Sequence, residues 1–246
     1  MRLQDKVSII TGSGRGIGRA TALKFAAEGA KTVVCDLNEA SVDTVVAEIR
    51  GRGEEASGFV VDVTDRASID AMVTAVKATY GRIDTLVNNA GVVMDARMVN
   101  MTDDQFDKVI EVNLKGTYNC AKSVIDIMLM QQSGVILNAS SIVGLYGNFG
   151  QTNYAASKFG VIGMAKTWAR EFGRKGIRAN AVCPGFVETE IIKGIPDKAL
   201  QSIVDRVSMG RLGKPEEIAN TYAFLASDEA SFINGAVIEV SGGATI

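Results

Sequence analysis

Tyr154 and Lys158 stand four residues apart in Tyr154-Ala155-Ala156-Ser157-Lys158, within a 246-residue chain that contains no histidine. Positions i and i+4 of a helix share one face, so this spacing sets an ammonium beside a phenol. A free tyrosine titrates near ~10, too high for easy proton exchange at neutral pH, and a nearby positive charge lowers that value. Without an imidazole, general acid–base chemistry falls to a carboxylate, lysine, cysteine or tyrosine. Taken alone, Tyr-x-x-x-Lys is more often an ordinary helix-surface pair.

A second constellation is Thr11-Gly12-Ser13-Gly14-Arg15-Gly16-Ile17-Gly18, between an apolar strand-like run and a helical pattern. Glycines there let the backbone turn tightly and approach a pyrophosphate at the positive helix N-terminus. Asp36 follows Gly18 by 18 residues, at the end of the next strand pattern. A carboxylate at that place accepts hydrogen bonds from ribose hydroxyls and repels a 2′-phosphate, although a helix-capping aspartate also fits.

The elements that must position these residues alternate. Strands are expected at Val7–Ile10, Thr32–Cys35, Ser57–Val61, Thr85–Asn88, Val135–Ala139, Arg178–Cys183 and Ala236–Val240. Helical patterns fall on Gly16–Glu28, Ala40–Arg52, Arg66–Tyr80, Asp104–Met130, Asn153–Phe172 and Pro215–Ala226. Continuous apolar strands alternating with helices predict an α/β, Rossmann-type doubly wound parallel sheet of about seven strands with helices on both faces. One domain is expected over residues 1–246.

Composition narrows the function classes. The chain is 47% apolar and 22% charged, with net charge −2, which leaves no electrostatic footprint for nucleic acid or an anionic membrane. Cys35, Cys120 and Cys183 are far apart and odd in number, so neither a disulfide framework nor a metal site is expected. The first residues carry no apolar signal core, and no run approaches the ~20 apolar residues of a membrane span. A cytoplasmic protein is expected.

Five motifs in order resemble the short-chain dehydrogenase/reductase family. They are the Thr11–Gly18 turn, Asn88-Asn89-Ala90-Gly91, Ser141 thirteen residues before Tyr154, Tyr154-x-x-x-Lys158 and Pro184-Gly185. Within it, Asn148–Lys158, Gly210–Ala219, Phe224–Ala230 and Ser241-Gly242-Gly243 are similar to bacterial 3-oxoacyl-[acyl-carrier-protein] reductases. The resemblance implies Tyr154 as proton donor to a carbonyl, Lys158 lowering its pKa and holding the nicotinamide ribose, and Ser141 bonding the substrate oxygen. It implies Asn113 as holder of a relay water. Bringing a tyrosine from about 10 to near 7 requires roughly 4 kcal/mol of differential interaction. Ser140 is the local rival to Ser141, but neighbours on a strand point to opposite faces and the family spacing selects Ser141.

The resemblance also implies a cofactor surface. Asp62 and Val63 would meet adenine, Asn89, Ala90 and Gly91 the adenosine ribose side, and Val187 with Thr189 the nicotinamide and its phosphate. Leu37, Val112, Pro184 and Gly185 join this surface, with Val63 and Ala90 equally explained by packing. NAD(H) is favoured because Asp36 stands where NADP-dependent members usually lack an acid; Arg15 keeps NADP(H) as the alternative. The implied reaction is reduction of a 3-oxoacyl thioester, on acyl carrier protein or CoA, with a sugar, polyol or steroid dehydrogenase as alternative. A nucleotide sensor without chemistry has no need of Asn113, Ser141, Tyr154 and Lys158 together.

Carrier-protein reductases tend to place basic residues near the active-site mouth, where this chain has Gln132 and Lys175. A lid is expected over residues 190–209, with Ile191, Ile192, Ile195 and Met209 lining an apolar substrate portion. Helical patterns Thr117–Met130 and Tyr154–Phe172 are apolar on more than one face, so they need cover beyond one sheet. Together with the resemblance this implies a homotetramer.

Overall fold

The computed structural model describes residues 1–190 and 197–245. Seven strands form one parallel sheet: β1 Val7–Thr11, β2 Lys31–Asp36, β3 Ala56–Val60, β4 Thr85–Asn88, β5 Gly134–Ala139, β6 Ile177–Pro184 and β7 Val237–Val240. Their spatial order is β3-β2-β1-β4-β5-β6-β7. The order runs outward in one direction up to β3 and in the other from β4, so it reverses between β1 and β4. In such sheets ligands lie outside the carboxyl ends of the strands at that switch point.

The expected architecture holds because the central strands are apolar on both sides. Ile9, Leu86 and Ile136 enter one core with Met72 and Val76 of α3 (Arg66–Tyr80), Val124 and Met128 of α5 (Gly116–Gln131) and Trp168 of α7 (Thr152–Phe172). Their chain neighbours Ile10, Val87 and Leu137 enter another, with Phe25 of α1 (Gly16–Ala27) and Ile218, Tyr222 and Leu225 of α9 (Pro215–Ala226). Alternating side chains of a strand point to opposite faces, so these pairs require helices on both. Val42, Val45 and Ile49 of α2 (Glu39–Gly51) close a third cluster against Ala22 and Ala26. Full burial of each such side chain contributes about 1.5–3 kcal/mol.

The helix expected over Asp104–Met130 is three pieces. α4 (Asp103–Val109) opens on a Thr102/Gln105 capping box, a π-helical turn covers Ile110–Lys115, and α5 follows without a break. A π turn adds one residue to the repeat and leaves the apolar period almost intact. Two helices fall outside the sequence pattern, α6 (Val143–Tyr146) and α8 (Asp197–Val204), the latter inside the expected lid. Ile191, Ile192 and Ile195 lie outside the described residues. The three cysteines are free and buried.

Candidate active site

Tyr154 and Lys158 occupy the first turns of α7, which packs beside β5 and β6. The Lys158 ammonium lies 5.5 Å from the centroid of the Tyr154 ring. It donates to the Ala139 carbonyl at 2.8 Å, at the carboxyl end of β5. Two residues on, Ser141 accepts from the Val143 amide at 3.1 Å, and its hydroxyl stands close enough to the Tyr154 phenol to draw the titration of that group down. Ser140 points elsewhere, its hydroxyl donating to the Lys158 carbonyl at 2.8 Å. Of the two serines, Ser141 is the one that faces the Tyr154 phenol.

The titration of Tyr154 departs from expectation. Burial pushes its phenol up to about 12, the Ser141 hydroxyl acts the other way, and the Asp95 charge adds to the rise. Lys158 was expected to lower the phenol, yet its ammonium is committed to Ala139 and is itself only 4% exposed. Burial brings Lys158 down to about 8, with Cys183 opposing. Desolvation disfavours the charged form of both groups and here outweighs their proximity.

Asn113 sits within the π turn and is fully buried. Its Oδ1 accepts from the Val92 amide at 2.8 Å, and its Nδ2 donates to the Val92 carbonyl at 2.9 Å and to Ser157 Oγ at 3.3 Å. Ser157 in turn donates to the Tyr154 carbonyl at 2.8 Å. Asn113 therefore braces the loop after β4 against α7. A Cβ placed on Gly91 would lie 3.3 Å from Asn113 Oδ1 and 3.5 Å from Lys158 Nζ, which brings these residues into one pocket.

The glycine turn forms the adjoining wall. Gly12 has φ of +62°, and a Cβ there would lie 2.8 Å from Ala90 Cα; on Gly18 it would lie 2.1 Å from the Gly12 carbonyl oxygen. Thr11 Oγ1 accepts from the Asn89 and Ala90 amides at 3.0 Å each. Asn89 Nδ2 returns bonds to the Thr11 and Gly12 carbonyls at 3.1 and 3.0 Å. Asp36 accepts from the Gly14 amide at 3.0 Å, so its carboxylate stands beside the turn. Thr189 touches the Cβ position of Gly16 at 3.6 Å. This cradle, closed to side chains at Gly12 and Gly18 and flanked by an acid, fits a dinucleotide.

Several expected cofactor residues also hold the fold together. Both polar groups of Ser13 are spent within the sheet, its amide on the Cys35 carbonyl at 3.0 Å and its hydroxyl on the Ile10 carbonyl at 2.7 Å. Val63, Val112 and Val187 are buried in the cores, and Ile17 packs at their edge. Asp62 binds the Thr64 amide and hydroxyl at 2.8 and 2.7 Å. Gly185 packs against Ser241 just past Pro184, whereas Arg15 and Leu37 are exposed beside the turn. Arg15 makes no ion pair among the described residues.

Gln132 and Lys175 precede β5 and β6, at the opposite sheet edge from Ser141. The six residues of β5 span roughly 20 Å. The expectation that these positions flank the mouth of the same chain's site is corrected. The sequence reading also missed Ser157, Gln151 and Asn153, as well as the buried pair in which Asn88 Nδ2 donates to Asn138 Oδ1 at 2.9 Å. Only proximity to Tyr154 marked the first three.

A parallel sheet switching direction at a glycine cradle, with a Ser–Tyr–Lys group at its carboxyl edge, defines a nicotinamide-dependent oxidoreductase. A family model described as enoyl-(acyl carrier protein) reductase matches residues 12–245, and the chain belongs to the short-chain dehydrogenase/reductase family. It is 50% identical to the 3-oxoacyl-[acyl-carrier-protein] reductase FabG of Thermotoga maritima over 246 residues, covering 100% of both chains. With the FabG of Escherichia coli K12 it shares 40% over 243 residues, covering 99% of this chain and 98% of that one. Among solved structures, gox2181 superposes with a TM-score of 0.96 at 37% identity, covering 98% of this chain and 96% of the other.

Proposed function

We propose that this enzyme reduces a 3-oxoacyl thioester to the 3-hydroxyacyl product, with Asn113, Ser141, Tyr154 and Lys158 as its catalytic set. The observation that carries the reading is the buried Lys158 ammonium 5.5 Å from the Tyr154 ring, with Ser141 close enough to oppose the rise of the phenol. When bound, the nicotinamide cofactor supplies the hydride. Negative charge then develops on the former carbonyl oxygen, where two hydroxyl donors act only as charge forms. Ser141 bonds that oxygen, and Tyr154 releases its proton to it.

The raised phenol favours this direction. Tyr154 stays protonated at neutral pH and is ready as an acid, while an alkoxide is far more basic than phenolate and takes the proton. Lys158, near 8, carries positive charge in the working range and stabilises the phenolate left behind. Asn113, which with Lys158 flanks Gly91, would hold the relay water that returns the proton. Two oxygen-directed donors suit a carbonyl better than the carbon–carbon double bond of an enoyl group, in keeping with the relatives named 3-oxoacyl reductases.

NAD(H) is the proposed cofactor. A 2′-phosphate beside Asp36 meets like-charge repulsion of order 1 kcal/mol or more. We further propose a homotetramer. α5 and α7 border an apolar groove of about 250 Å³ containing Tyr118, Ile125, Leu129, Trp168 and Phe172, the cover those helices lack. No helix among the described residues is long and apolar enough to cross a membrane.

The test is a matrix of acetoacetyl-CoA, acetoacetyl carrier protein, crotonyl-CoA and simple ketones against NADH and NADPH. Reduction of the oxoacyl thioesters but not crotonyl-CoA is expected, with the CoA and carrier arms separating the two thioester sources. Turnover confined to sugars, polyols or steroids sinks the thioester assignment, and a strong NADPH preference sinks the cofactor assignment.

A further inference from the structure

The N-terminus of α7 is built unusually. Gln151 holds its N-cap position, yet no side-chain bond caps the helix there. Its amide is turned outward instead, donating to both Asp95 carboxylate oxygens at 3.0 Å. Two residues on, the fully buried Asn153 donates to the Met94 carbonyl at 3.0 Å and the Gln105 carbonyl at 2.9 Å, while its Oδ1 accepts from the Tyr154 amide at 2.7 Å. Between these struts, the Ala96 amide donates to the Gly150 carbonyl at 2.9 Å, and Ala96 bridges Gln151. Three consecutive residues, Met94, Asp95 and Ala96, are thus each tied to the segment that ends in Tyr154.

That tethered segment carries an apolar strip. Met94 is 37% exposed, Met98 and Val99 just beyond it are about 80% exposed, and so is Phe149 of the facing loop. Arg97 stacks over Phe149 at 5.8 Å and links the two loops again. Large apolar side chains left open on loops tied to the start of the Tyr154 helix suit the hydrocarbon part of an acyl substrate, the preferred lining of small-molecule sites.

We propose that Gln151 and Asn153 are positioning residues that fix this apolar wall and Tyr154 in one relation, so that acyl-chain contact sets the distance between the reacting carbonyl and the phenol. The inference rests on the thioester reading above. Misplacement of a reacting group by ~1 Å can cost about 100-fold in rate, so bonds remote from the chemistry have leverage on it.

The decisive variants are Gln151→Glu, which opposes Asp95 with a second carboxylate, and the exchange Gln151→Glu with Asp95→Asn, which restores an amide–carboxylate pair in reverse. Gln151→Glu is expected to lower kcat/KM for acetoacetyl-CoA about tenfold, with NADH affinity, read by fluorescence, and Tm little changed. The exchange is expected to recover most of that loss at the same net charge. Asn153→Ala is expected to lower kcat more, again with NADH affinity retained. An unaffected Gln151→Glu enzyme, a failed recovery in the exchange, or NADH affinity falling in step with kcat overturns the proposal. If the wild type ignores thioesters but reduces another apolar ketone, the thioester reading fails, and the same variants assayed on that ketone still decide the struts.

Discussion

Tyr154 illustrates how burial and charge compete at a single side chain. Its phenol near 12 and the lysine near 8 set the pH limits of the site. Lys158 is charged below its value and neutral above it, so reductive kcat/KM is expected to hold through pH 7 and fall as pH rises past about 8. A pH–rate profile checks this. Tyr154→Phe is expected to lower turnover by at least ~10² to 10⁴ while cofactor binding, followed by fluorescence, persists. At Asp36, replacement by Ser removes the carboxylate facing the cradle, and the NADPH/NADH ratio of catalytic efficiencies is expected to rise about fivefold or more. The identities of Ser141, Tyr154 and Lys158 were legible because their order and spacing survive in one dimension. The direction of the Tyr154 shift was not, since it depends on how deeply three separate elements bury it.

Elements were legible where a continuous apolar run or a period of 3.6 dominates, as in β1, β5 and α7. The π turn was not, because its extra residue barely disturbs the apolar stripe running from Val109 to Met128. The turn nevertheless determines where Asn113 points, and with it the hold on Val92. The Gly12–Gly18 crossing is the tightest contact between a strand end and a helix start. A Cβ on Gly18 would fall 2.1 Å from the Gly12 carbonyl oxygen, a backbone atom with little room to move. Gly18→Ala is therefore expected to weaken NADH binding about 100-fold or more and to lower Tm, both from the displacement of α1; titration calorimetry and thermal melts read the two effects. The struts at Gln151 and Asn153 were invisible in sequence, because an Asn at a helix start reads first as a cap and the Asp95 partner of Gln151 lies 56 residues away.

On the scale of the whole molecule, the α5–α7 groove is where apolar surface stays open, with Tyr118 half exposed along it. Sedimentation is expected at about four times the 26.0 kDa chain mass, and Tyr118→Glu is expected to shift it toward smaller species without loss of the fold by circular dichroism. A wild-type monomer refutes the assembly. The parallel sheet also gives the molecule two unlike ends. The Ser141, Tyr154 and Lys158 group and the glycine turn gather at the carboxyl edges of the strands, whereas Gln132, Lys175 and a cavity of about 530 Å³ lie at the amino edges. For anyone attaching this enzyme to a bead, an electrode or a second protein, that division supplies an orientation. A linkage through the exposed Lys175 would leave the working face turned outward to the solution.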